Sequence, residues 1–97
     1  MSKNVINIGG RDVSVRPLTL RQIQDMAEDI DAGGRCGPKA TKEEISAYVR
    51  VVKTCLAGDD VGMSEDDLLD LIDLGDVGRV WSHLMGLSGF VRRVGEE

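Results

Sequence analysis

Val5-Ile6-Asn7-Ile8-Gly9-Gly10-Arg11-Asp12-Val13-Ser14-Val15-Arg16-Pro17-Leu18-Thr19 is the stretch that decides how this chain begins to fold. Apolar and polar residues alternate on either side of a glycine pair, the period of a strand with one buried face. Ile6 and Ile8 share one face, as do Val13 and Val15. Gly9-Gly10 can supply the positive φ that a tight hairpin turn demands. Pro17 has no N–H to offer a ladder and should end the second strand. Residues 1–17 therefore read as a β-hairpin.

The chain turns helical at once. Thr19 is a good N-cap, and Gln22, three residues on, can bond back to the cap's N–H. Leu18 and Ile23 have the spacing of a hydrophobic staple. Leu20, Ile23, Met26 or Ala27, and Ile30 form one apolar stripe, which predicts a helix over 19–31, stopped by Gly33-Gly34. Gly33 to Pro38 reads as a surface loop. Thr41 with Glu44 makes a second capping box. Behind it Ile45, Tyr48, Val49, Val52 and Leu56 keep helical spacing over 41–57, with Lys42, Glu43, Arg50 and Lys53 largely outside.

Gly58 to Gly62 breaks the pattern again. Ser64 can cap a short acidic helix over 64–74, where Glu65, Asp66 and Asp67 suit the positive end of the helix dipole. Met63 and Leu68 repeat the staple spacing. Gly75 ends that helix, and Asp76 is the candidate cap of a last one over 76–93. There Val77, Val80, Trp81, Leu84, Leu87 and Val91 recur at steps of three and four. The expected fold is α+β and mainly helical: an N-terminal β-hairpin followed by three to four helices, in a single domain over 1–97.

Composition fits that scale. A chain of 97 residues buries roughly 60–70% of its unfolded surface, enough for one core with little surplus. Tyr48, Trp81 and Phe90 are the three aromatics, so the core must rest on Val, Leu, Ile and Met. No apolar run approaches the roughly 18–20 residues that span a bilayer. The start of the chain lacks the long apolar stretch of a secretory signal. Cys36 and Cys55 then read as reduced thiols of a cytoplasmic protein.

Charge is unevenly spread. Through Ala57, nine Lys or Arg stand against seven Asp or Glu; from Gly58 onward, three stand against ten. Such a surface repels phosphate backbones, because nucleic-acid affinity comes largely from cations that displace counterions. Direct DNA or RNA binding is disfavoured. The acidic run from Asp59 to Asp76 reads as a solvated face, or as a docking surface for a basic partner.

Catalysis would need a base, a nucleophile or a metal. His83 is the single histidine and has no sequence partner that would place it in a triad; a partly exposed helix position is the simpler reading. Cys36 and Cys55 form no CxxC pair and match no zinc module. Cys55 fits a packing position and Cys36 an exposed loop. Gly33 to Thr41 resembles a phosphate loop in composition, but Pro38 stands where the final glycine belongs and Ala40 follows Lys39. Asp59 to Asp70 suggests a calcium loop, yet Ser64 falls where glycine is required. The sequence thus nominates no catalytic, cofactor-binding or metal-ligating residue and no cofactor, and an enzyme is the least expected class.

Partner binding is the remaining chemistry. Leu84, Leu87, Phe90, Val91 and Val94 extend an apolar stripe almost to the end of the sequence. An amphipathic helix laid into a partner's groove is a common use of such a segment. These five are the nominated partner contacts.

The order of elements, with particular words inside it, resembles the tail assembly chaperones of long-tailed bacteriophages and prophages. The similarity rests on the hairpin Ile6 to Val15, on the Arg16-Pro17-Leu18-Thr19 lead-in to a helix, and on Met63-Ser64-Glu65-Asp66-Asp67-Leu68-Leu69-Asp70 before a final helix. It implies a protein without an active site, which coats the tape-measure protein, or another tail protein, before tube subunits polymerise around it in the bacterial cytoplasm. Self-association stays open, and with no apolar run long enough to span a bilayer no membrane partner is expected. The alternatives are a structural head–tail connector or minor virion protein, and a small regulator.

Overall fold

The computed structural model describes residues 5–87. The hairpin is present: β1 (Val5–Ile8) pairs antiparallel with β2 (Arg11–Ser14), in a register running from Ile8↔Arg11 to Val5↔Ser14. Gly9 and Gly10 have φ of 62° and 85°, the positive pair that a two-residue turn of matching twist requires. Ile6, Ile8, Val13 and Val15 are all buried. The alternation therefore becomes one apolar face on the core. Gly9 has a second reason to lack a side chain, because a Cβ there would lie 2.7 Å from the carbonyl oxygen of Leu71.

Among the described residues five α-helices and one 3-10 turn follow, so the α+β, mainly helical expectation holds. They are α1 (Leu20–Asp25), α2 (Ala27–Gly33), α3 (Lys42–Thr54), the 3-10 turn Gly58–Gly62, α4 (Glu65–Leu71) and α5 (Val77–Leu87). Capping boxes open three of them: Thr19 with Gln22, Thr41 with Glu44, and Ser64 with Asp67. Each pairs two orphan backbone donors reciprocally.

The single helix expected over 19–31 is two. Met26, at φ −110° and ψ 19°, ends α1 and starts α2. Ile23, Met26 and Ile30 pack against the core, but Leu20, expected on the same stripe, is 85% exposed. The break lets α2 turn onto α3, where Asp29 pairs with Arg50 at 2.8 Å. Met and Ala are both good helix formers, so nothing local signals it.

The helix expected over 41–57 ends at Thr54. Leu56 pairs with Val15 as an isolated antiparallel bridge. The Arg16 N–H donates to the Cys55 carbonyl at 2.7 Å, and the Ala57 N–H to the Ser14 carbonyl at 3.0 Å. The outer edge of β2 would otherwise leave backbone groups unpaired beside the core. Leu56 is buried as expected, but on a strand-like pairing rather than a helical stripe.

The core is organised by α3, which buries Ala47, Tyr48, Val49, Val51 and Val52. Helices α2 and α4 pack along it, and α5 leans on β1. There the Arg79 guanidinium donates to the Asn7 carbonyl at 2.6 Å. Helix α4 stops at Leu71 because Ile72 is already extended, at ψ 116°. Positions 88–93 of the expected last helix lie outside the described residues.

Candidate functional site: an apolar cleft beside α4

An open cleft of about 240 Å³ lies between α3, α4 and the start of α5. Ile45, Tyr48 and Val49 form its floor from α3. Leu68, Leu69 and Ile72 come from α4 and its end, Leu74 and Val77 from the approach to α5, and Cys36 and Gly37 from the loop before α3. Capping fixes where these walls begin: Thr41 starts α3, and Ser64 starts α4. Leu68 is wholly buried, yet Leu69 is 47% and Leu74 57% exposed. Half-burying a leucine forgoes about 1 kcal/mol relative to full burial. Among the described residues these two side chains form an apolar rim left partly uncovered.

Polar chemistry at the cleft is sparse. The Tyr48 hydroxyl donates to the Val77 carbonyl at 2.8 Å, and burial raises its phenol well above the usual range. Burial, assisted by the negative field of Glu44, also raises the Cys36 thiol. Both groups stay neutral near pH 7 and are poor nucleophiles there. Cys36 was expected to be an exposed loop thiol; it is half-buried and packs on the core. The lining suits apolar side chains.

No known protein family, curated protein or solved structure matches the chain.

The nominated partner contacts divide. Leu84 is fully buried in the core, where it serves packing and cannot meet a partner in this fold. Leu87 is partly buried against the same core. Phe90, Val91 and Val94 lie outside the described residues. The rim leucines Leu69 and Leu74 were missed. Their periodicity fits the buried side of a helix, and the only sequence sign of exposure was that α4 is apolar around too much of its girth to bury everything.

Other reactive groups are structural. Cys55 is buried at the end of α3, and burial pushes its thiol up to about 11 against a small opposing pull from Arg16. His83 is half-buried, and its Nε2 has no hydrogen-bond partner among the described residues. Among those residues no cluster of His, Cys, Asp or Glu could hold a metal ion, and no helix is long and apolar enough to cross a membrane.

One acid of the run expected to be solvated is not. Asp60 is buried and accepts from the Arg11 guanidinium at 3.0 Å and from the Ser14 N–H at 2.7 Å. It pins the 3-10 turn to β2. A second cleft, of about 370 Å³, gathers Arg16, Arg50, Lys53 and Glu65. Two of its cations are already engaged, Arg50 with Asp29 and Lys53 with the Met63 carbonyl at 3.1 Å.

Proposed function

We propose that the chain is a tail assembly chaperone of a long-tailed bacteriophage or prophage. It acts without catalysis in the cytoplasm of the bacterial host and keeps the tape-measure protein soluble through protein–protein contacts. The observation that carries this reading is the open cleft beside α4, with two leucines half in water at its rim. Exposed apolar surface of this kind is tolerated where it meets a partner. The exposed carboxylates of Asp66 and Asp73 near it suit a carrier that must keep an apolar client in solution.

Co-expression tests this directly. The tagged chain is produced beside the tail genes of its own genome, and the co-purifying proteins are identified by mass spectrometry. Recovery of a long, helix-rich tape-measure protein is expected. Recovery of capsid or connector proteins alone, or presence of the chain in purified virions, would replace the chaperone by a structural component.

A further inference from the structure

We infer that the cleft beside α4 takes an amphipathic helix of the client, its apolar stripe bordered by Lys or Arg on the side that faces α4. This rests on the chaperone reading and adds the chemistry of the occupant. Size sets the first condition. A cavity of roughly 150 Å³ accepts benzene, so about 240 Å³ has room for one large or two branched apolar side chains. Such anchors come from one face of a helix at steps of three and four.

The walls decide between helix and strand. They come from α3, α4, the first residue of α5 and connecting turns, and among the described residues no strand borders the cleft. An extended segment would find no ladder for its N–H and C=O groups, whereas a helix arrives with its own satisfied.

Charge sets the orientation. Asp66 stands three residues before Leu69 on α4 and so shares its face. Asp73 stands between the lining residues Ile72 and Leu74. Both carboxylates are exposed, and neither is ion-paired among the described residues. On the loop that forms the other wall, Arg35 is held by Asp31 at 2.8 Å and Lys39 is exposed. Glu44 adds a carboxylate near Cys36 on that side, but it is half-buried and accepts from the Thr41 N–H at 3.0 Å in its capping box, so the exposed carboxylates that draw cations lie on the α4 side.

Fluorescence anisotropy with two labelled helical peptides tests this. They share one leucine stripe, flanked by Lys in one and by Glu in the other. The Lys peptide should bind at least roughly tenfold tighter at low salt, and the gap should shrink as salt rises to about 0.5 M. Leu69→Asp and Leu74→Asp should each weaken its binding roughly tenfold. Leu20→Asp, on exposed surface that does not line the cleft, should leave it unchanged. Thermal melts confirm that each variant is folded. Equal affinity for the two peptides, no binding, or indifference to Leu69→Asp and Leu74→Asp would overturn the inference. So would a concentration-dependent dimer dissolved by Leu69→Asp, which would give the cleft to a second copy. The two proposals fail separately. If Leu69→Asp still co-purifies with the tape-measure protein, the cleft assignment falls and the chaperone stands. If the Lys peptide binds as expected but no tape-measure protein is recovered, the chaperone falls and the cleft chemistry stands.

Discussion

Tyr48 of α3 stacks on Trp81 of α5, with ring centroids 5.2 Å apart and planes 24° from parallel. The Tyr48 hydroxyl also reaches the Val77 carbonyl, so one side chain holds α5 at two points. A stacked pair contributes about 0.5–1.5 kcal/mol beyond its buried area, and the hydrogen bond about 1 kcal/mol. The hydrogen bond also ties Val77, which lines the cleft, to α3.

Gly33 tests how tightly α2 is packed on this pair. A Cβ there would lie 2.8 Å from the Trp81 ring and 3.0 Å from the Tyr48 Cα. The second contact is backbone and cannot rotate away. Gly33→Ala should destabilise the fold by about 1–3 kcal/mol, although alanine's better helix propensity returns up to about 1 kcal/mol. Urea unfolding followed by Trp81 emission measures it, and a stabilised variant would contradict the packing described.

Asp60 separates a structural acid from solvated ones. Asp60→Ala leaves the Ser14 N–H and the Arg11 guanidinium without their acceptor, at an expected cost of about 2–4 kcal/mol. Asp66→Ala, on an exposed residue of the same acidic half, should stay within about 0.5 kcal/mol. Chemical denaturation of the two variants side by side gives the comparison.

The Asp29–Arg50 pair makes stability depend on pH. The Arg50 hydrogen bond, with a smaller charge effect, holds the Asp29 carboxyl below its ordinary value of 3.8 despite some opposing burial. A carboxylate lowered on folding contributes stability that is fully present above the unfolded value and lost as pH falls through the folded one. Solvent screening at the partly exposed Arg50 keeps the contribution to about 0.5 kcal/mol. Asp29→Asn should therefore be slightly less stable than the parent at pH 7, and the difference should shrink at a pH well below 3.8. Denaturation curves at the two pH values read the difference directly.

The thiols should differ sharply in reactivity. Cys55 is wholly buried, and its pKa is pushed up to about 11, so a disulfide reagent at pH 8 should modify it only after unfolding. Cys36 is half-buried with a raised pKa, so it should react in the folded protein but more slowly than a free thiol. A client helix seated in the cleft should slow Cys36 further, and timed modification with mass spectrometry follows both sites.

The sequence by itself determined the local punctuation of this fold. The Gly9-Gly10 hairpin, the boxes at Thr19 and Thr41, and the cap at Ser64 are all present where the residues predict them. Each is an interaction among neighbours in the chain, so neighbours suffice to specify it. The buried stripe of α3 was legible for the same reason, since one helix period fixes which residues share a face.

Tertiary structure alone decided the rest. The break at Met26 follows from how α2 meets α3. The bridge between Val15 and Leu56 follows from the free edge of β2. Asp60 is buried because Arg11 and Ser14, far away in sequence, offer it donors. The cleft follows the same rule. Leu68 and Leu69 are adjacent, identical and equally apolar, yet one is sealed in the core and the other stands 47% exposed. Hydrophobicity requires only that apolar area be covered where a neighbouring element can reach it. Which leucine goes uncovered depends on where α3 and the Cys36 loop end up, and no local pattern carries that information.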